Sequence, residues 1–307
     1  MILVTTPTGN TGSIVLQQLV ERGQKVKIFL RDPQKIPAYI LEKVEVATGS
    51  LLNEYEFTEA LRGCDTLYFC IPQSNTQEDV NGYYEDFAEA ASKSIKNAGT
   101  KRVVYLSSGG KESNLQAGLV TALHKGEDII SQCEASVRAL RCPVFFETLL
   151  YQKASLKEQG VFSLPMDGNY KSPQIAVKDI ASKAVEFLTD NTWTGVEGVT
   201  VLGPEDISYN EIARQMSILT GKPIYFIEIS KENYIKKLLG EHHTSEAFAI
   251  SLTEMLTAIG SGLYDLEPRT ETASGTTSIR EWMIENLVPK IDQNINANVF
   301  EIRKHID

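Results

Sequence analysis

The chain has 307 residues, 42% of them apolar, with 40 acidic against 30 basic residues and a formal charge of −10. That length supports a sizeable buried core, and an acidic balance without a basic stripe excludes a general nucleic-acid or anionic-membrane surface, since phosphate neutralisation needs clustered Lys and Arg. No stretch approaches the roughly 18 apolar residues of a membrane span and the first residues lack a positive leader flank, so a cytoplasmic protein without a membrane partner is expected. The four cysteines, Cys64, Cys70, Cys133 and Cys142, form neither a CxxC pair nor a zinc spacing and are expected to be reduced thiols. No metal is expected either: His242 and His243 are adjacent, diverge on a helix, and lack a partner one turn away.

In the first half, short apolar runs at 2–5, 25–30, 44–47, 66–71, 102–107 and 143–147 read as strands. Helix-length segments at 11–22, 54–62, 79–98 and 122–140 lie between them, with glycines such as Gly23 and Gly99 at their ends. This alternation predicts an α/β protein built on a Rossmann-type, doubly wound parallel sheet. Beyond 150 the pattern loosens. Helices are predicted at 177–190, 208–221 and 231–259 and in "TTSIREWMIENLV", with strands in "VEGVTVLG" and "KPIYFIEIS". The expected organisation is a dinucleotide-binding domain over 1–150, a smaller α+β cap over 151–289 that interleaves with the sheet and covers its carboxyl edge, and a polar tail over 290–307.

The first strand runs into "TTPTGNTG" and then a helix. In a dinucleotide fold that turn needs glycines for its tightness, for close approach of backbone to a diphosphate, and for helix packing. Gly9 and Gly12 supply the second and third; Thr6 stands in place of the first, and Pro7 removes one backbone donor. An anion would still meet the N–H groups around Asn10 and Thr11 at the helix start. The expected loop contacts are Thr6, Thr8, Gly9, Asn10, Thr11 and Gly12. About 20 residues on, where the adenosine ribose is read, the sequence has "IFLRDPQK". Arg31 there can pair with a 2′-phosphate and Lys35 adds a second charge, which points to NADP(H). The alternative is Arg31 pairing with Asp32, or Asp32 itself taking the ribose hydroxyls of NAD(H).

The stretches "ILVTTPTGNTG", "FLRDPQK", "ALRGCDTLYFCIP", "AGTKRVVYLSS" and "SYNEIARQMSILTGKPI" together resemble an NmrA-like protein, an atypical short-chain dehydrogenase/reductase of the kind that includes bacterial quinone and triphenylmethane-dye reductases. The likeness spans roughly residues 1–290. Arg31, Pro33 and Lys35 match the family's Arg-x-Pro-x-Lys turn for the 2′-phosphate. The resemblance implies a Rossmann domain, a smaller substrate cap, and NADP(H) between them, with Ile71 and Pro72 flanking the adenosine half and Ser107 and Ser108 near the nicotinamide.

The sequence also departs from such proteins. The Tyr-x-x-x-Lys pair that lets a phenol pass a proton is absent, since Tyr105 lies within a strand and position 109 is Gly. Relatives with His or Lys four residues ahead of a helical Glu would place it at Ile130 if that Glu is Glu134. His124 and Lys125 lie upstream. In "FFETLLYQK", Glu147 replaces the family's Arg, and Tyr151 and Gln152 are candidate substrate contacts. Ser108, Lys125 and Tyr151 are therefore the candidate catalytic residues. Two functions follow: an NADP(H)-dependent reductase of a conjugated small molecule (quinone, enone, imine or dye), or a non-catalytic NADP(H)-binding regulator acting through a protein partner. A homodimer is compatible with either.

Overall fold

The computed structural model describes residues 1–241, 244–271 and 273–291; the adjacent histidines at 242–243 and the tail from 292 lie outside them. The predicted alternation produces β1 (Ile2–Thr5), α1 (Asn10–Glu21), β2 (Val26–Leu30), α2 (Ala38–Leu41), β3 (Glu45–Thr48), α3 (Glu54–Leu61), β4 (Thr66–Phe69), α4 (Val80–Ala98), β5 (Arg102–Ser108), α5 (Leu119–Ser131) and β6 (Ser136–Cys142). Five of these strands and the later β10 (Val196–Thr200) join β1 in a seven-stranded sheet of order β10-β6-β5-β4-β1-β2-β3, parallel throughout.

The strand order reverses between β1 and β4, so the crevice of this open sheet lies beyond their carboxyl ends. Thr5 stitches the two strands there: its hydroxyl donates to Tyr68 O at 3.0 Å and accepts from the Cys70 amide at 3.2 Å. The strands are apolar on both faces because helices cover both. On one face Leu3, Leu67, Phe69 and Tyr105 pack under α3, α4 and α5, with rings of Phe29, Phe57, Phe69 and Tyr105 following one another at 5.4, 6.1 and 5.8 Å. On the other, Val4, Tyr68, Val104 and Leu140 pack under α1 and α7 (Val177–Thr189).

The predicted strand at 143–147 and helix at 122–140 are both corrected. The helix ends at Ser131, and the sixth strand is "SVRALRC", 136–142. Two arginines disguise it. Arg138 is buried on one face, 4.6 Å over the Trp193 ring, with its guanidinium donating to the carbonyls of Thr194 and Gly195. Arg141 points to the opposite face, as the two-residue period requires.

After Cys142 the chain enters the cap through β7 (Val144–Phe145), a 3₁₀ segment Phe146–Gln152, α6 (Lys153–Gln159), β8 (Val161–Leu164) and β9 (Ser172–Ile175). It returns to the sheet for α7 and β10, then leaves through β11 (Asp206–Ile207), α8 (Tyr209–Thr220), β12 (Tyr225–Glu228), α9 (Lys231–Glu241) and α10 (Glu246–Ile259). The predicted helix 231–259 is thus two helices. A last helical run comprises α11 (Ile279–Trp282), a π-helical turn Met283–Leu287 and α12 (Val288–Ile291). The cap has its own core, with Phe146, Phe162, Tyr209, Met216, Leu256 and Trp282 at its centre. No helix among the described residues is long and apolar enough to cross a membrane.

Candidate active site

The loop between β1 and α1 is shaped by its glycines. Thr6, where the first glycine was expected, has φ +48°, the one non-glycine at positive φ among the described residues. A β-branched side chain costs roughly 1–2 kcal/mol there. Its carbonyl accepts the Gly9 amide at 2.9 Å and lies so close to Gly12 that a Cβ at that position would stand 2.2 Å from it. No side chain caps α1, which starts behind Gly9, so the first-turn amides keep their capacity for an anion. Thr6 Oγ1 is buried with the Cys70 thiol as its neighbour and no nitrogen or oxygen partner. Thr8 and Asn10 are exposed on the loop, Thr11 and Gly12 buried beneath it. An uncapped helix start, a glycine approach and a buried hydroxyl without a nitrogen or oxygen partner fit a diphosphate.

Arg31 and Lys35 are exposed beyond the end of β2. The Asp32 carboxylate accepts the Gln34 amide at 3.1 Å and caps the 3₁₀ turn Pro33–Lys35, and among the described residues it makes no ion pair with Arg31. Pro72, after β4, accepts a 2.8 Å hydrogen bond from the Tyr83 hydroxyl. Burial pushes the Tyr83 phenol up and the positive charge of Arg31 pulls it back, so Arg31, Pro72 and α4 meet at the same end of the crevice. The cap is tied to this loop by Ser245, whose amide donates to Asn75 O at 2.9 Å and whose hydroxyl donates to Gln77 O at 2.6 Å.

Beyond β5 the side chains bind one another. Ser107 donates at 2.6 Å to Glu127, a carboxylate only 3% exposed on α5, which also accepts from Arg141 Nη2 at 2.9 Å and pairs with Lys111 at 3.3 Å. Ser108 donates weakly to Cys142 O at 3.4 Å. His124 Nε2 lies 2.9 Å from Ser108 O and 3.2 Å from Gly109 O. Two carbonyl acceptors require this nitrogen to carry the proton, and burial, the larger effect, lowers the imidazole pKa. Lys125 is on the outer side of α5, paired with Glu85 at 2.8 Å, and Tyr151 is 71% exposed. From the cap, Glu267 accepts the Gly110 amide at 2.6 Å and the Thr200 hydroxyl at 2.7 Å, while Leu263 packs so tightly on Gly110 (φ +80°) that no side chain fits.

The sequence reading missed Glu127 and Arg141. Glu134 lies past the end of α5 and pairs with Lys96 at the surface, whereas the carboxylate that α5 buries against the end of β5 is Glu127, with Leu123 four residues before it. Arg141, near the end of β6, is the arginine that meets this carboxylate. Glu147 instead accepts the Val177 amide at the start of α7 and the Trp282 indole N–H at 2.9 Å, and burial raises its pKa.

A family model described as NAD(P)H-binding matches residues 7–191, the segment that carries the glycine loop, Arg31 and the Ser107–Glu127–Arg141 cluster. The chain belongs to this NAD(P)H-binding family. The resemblance to NmrA-like atypical short-chain dehydrogenases/reductases holds across both sheet and cap. An NAD(P)H azoreductase of Xenophilus azovorans is 26% identical over 240 residues, covering 78% of this chain and 81% of the relative. The (4-alkanoyl-5-oxo-2,5-dihydrofuran-3-yl)methyl phosphate reductase of Streptomyces griseus is 27% identical over 293 residues, 93% and 98% of the two chains. Among solved structures, the Citrobacter triphenylmethane reductase with NADP(H) superposes with a TM-score of 0.79 at 19% identity, over 94% of this chain and all of that one. The NADPH complex of the Escherichia coli quinone oxidoreductase QOR2 gives 0.78 at 19% identity, over 92% and 98%.

Proposed function

We propose that this protein is an NADP(H)-dependent reductase that delivers hydride to a small conjugated acceptor such as a quinone, enone, imine or dye. The observation that carries the cofactor choice is the pair Arg31 and Lys35, which are exposed after the carboxyl end of β2, the neighbour of β1, and have no ion pair among the described residues. A 2′-phosphate completes those charges, whereas NAD(H) leaves them unused. The reductase reading is supported by relatives named for azo-compound and conjugated-lactone reduction, the latter acceptor carrying a phosphate ester. It goes with a small-molecule substrate and a cytoplasmic setting.

When bound, NADP(H) supplies the hydride. The chain's own residues do the rest: Gly9, Gly12 and the open amides of α1 hold the diphosphate, Arg31 and Lys35 the 2′-phosphate, and Ile71 and Pro72 the adenosine half. Leu263, Tyr264 and Glu267 close the cap against the end of β5 and keep water from that edge. The sequence's own candidates among the described residues are engaged elsewhere, and the buried Tyr264 phenol beside Ser108 is held well above its ordinary pKa by burial. Tyr105 donates within the fold to Leu123 O, His124 spends its N–H on two carbonyls, Ser107 gives its proton to Glu127, and Lys125 is held by Glu85 outside the crevice. A quinone that accepts hydride becomes a hydroquinone anion that takes its proton from water, and a cationic triphenylmethane dye becomes neutral on accepting hydride and needs no proton, so this arrangement suits acceptors that need no dedicated acid.

NADPH consumption at 340 nm against neutral and charged quinones, enones and azo or triphenylmethane dyes tests the proposal. Turnover of at least one conjugated acceptor, faster with NADPH than with NADH, is expected. Tight NADPH binding without turnover across the panel would replace the reductase by a cofactor-sensing regulator.

A further inference from the structure

The partly buried lysines among the described residues are Lys27, Lys111, Lys125, Lys183 and Lys237. Four of them face carboxylates: Lys27 faces Glu45, Lys111 faces Glu127 and Asp128, Lys125 faces Glu85, and Lys183 faces Glu186. Lys237 does not. Its ammonium donates to Gln152 Oε1 at 3.1 Å and to Ser163 Oγ at 3.3 Å, both neutral, and among the described residues no carboxylate lies within ion-pair distance. Gln152 is itself locked, its amide nitrogen donating to Ser163 O at 2.9 Å, which aims its oxygen at the lysine. The result is a half-desolvated positive charge, fixed by two oxygens, with one N–H left over. Neutral acceptors position such a charge but do not neutralise it, so the cluster is organised for an anion from outside the chain.

Its place in the fold says which anion. Gln152 ends the 3₁₀ segment that begins just after β7, where the chain leaves the carboxyl edge of the sheet, and exposed Tyr151 stands beside it. Lys237 is in the last two turns of α9, and the chain beyond α9 reaches Ser245, which grips the β4–α4 loop at Asn75 and Gln77. The segments that carry Gln152 and Lys237 thus connect along the chain to the carboxyl edge of the sheet on one side and to the β4–α4 loop on the other. We infer that Lys237, held by Gln152 and Ser163, is an acceptor subsite for an anionic arm, a carboxylate, sulfonate or phosphate monoester, on the molecule that is reduced. This inference rests on the reductase reading above and narrows its substrate class.

The test compares menadione with a sulfonated naphthoquinone, in wild type and in Lys237→Met. A charge-assisted hydrogen bond lost to the variant should raise KM for the sulfonated quinone by about ten-fold or more and leave menadione within about two-fold. Lys237→Arg should recover much of the affinity. An equal change for both quinones, or none for either, overturns the inference and leaves Lys237 as a stitch between α9 and β8. Should the wild type reduce neither quinone, the reductase reading fails on its own, and calorimetric titration of the NADP+-loaded protein with naphthalenesulfonate still decides the subsite. Binding lost in Lys237→Met supports it, and binding that is absent or unchanged overturns it. If Lys237→Met does not fold, Gln152→Leu with Ser163→Ala releases the ammonium without removing the charge and should also weaken the sulfonated compound selectively.

Discussion

The two ends of the crevice are built on different principles. At the end proposed for the diphosphate the chain offers backbone: glycines that clear the way, helix amides without a side-chain cap, and two cations, Arg31 and Lys35, with no ion pair among the described residues. At the acceptor end it offers side chains already engaged with one another, the cluster of Ser107, Glu127, Arg141 and Lys111, with Glu267 and Leu263 brought in from the cap. The second is complete in itself, and it sets a shape around the reaction rather than supplying reactive groups. A backbone site depends on conformation and tolerates side-chain drift, whereas an interlocked cluster fails as a unit.

The contrast is broken most sharply at Glu127. Removing one partner of a buried ion pair leaves the other uncompensated, so Glu127→Ala should destabilise by about 3–5 kcal/mol and lower Tm by roughly 6–12 °C. Replacing the buried partners together, Glu127→Leu with Arg141→Met and Ser107→Ala, should recover much of that loss, because packed apolar groups need no partner and Lys111 keeps Asp128. If the ends are independent, the surviving fraction of Glu127→Ala binds NADPH with near wild-type affinity while acceptor turnover falls. A matched loss of cofactor affinity would show one coupled site instead.

At the other end, Arg31→Ala should leave the fold and NADH affinity unchanged and weaken NADPH by roughly 10- to 100-fold, the worth of charge-assisted bonds to a phosphate. Fluorescence titration with both cofactors reads the ratio. Equal loss for both would mean that Arg31 acts on adenosine rather than on the 2′-phosphate.

The same contrast explains what could be read from the sequence. Gly9, Gly12, Arg31 and Lys35 stand at fixed spacings from a strand, so their part of the fold was legible, and β1, β2, β4, α1, α3, α4 and β5 fall within about two residues of their expected bounds. Glu127 and Arg141 are 14 residues apart and meet only because α5 stops at Ser131 and the chain turns back as β6. Arg138 and Arg141 made that strand look like the end of an amphipathic helix. Each is satisfied by partners that no local pattern shows: Trp193 and the Thr194 and Gly195 carbonyls lie more than fifty residues away from Arg138. With the strand read as helix, nothing local in the sequence brings Glu127 and Arg141 together. Lys237 was invisible for the same reason, since only the folded cap shows which lysine lacks a carboxylate.

The smallest effect should come from Thr6, where the loop departs from the glycine pattern. Thr6→Gly relieves a positive φ that costs a β-branched residue roughly 1–2 kcal/mol and removes a buried hydroxyl without a nitrogen or oxygen partner. Against this, glycine gives back about 0.4–1 kcal/mol through the freedom of the unfolded chain. The net should be a gain of up to about 1 kcal/mol, seen as a Tm rise of roughly 2–3 °C without cofactor. If the hydroxyl exists to meet the diphosphate, the same variant should bind NADPH more weakly, so that stability and affinity move in opposite directions. A Tm that falls would mean that Thr6 is held in place by its packing, and that this loop owes its shape to a side chain after all.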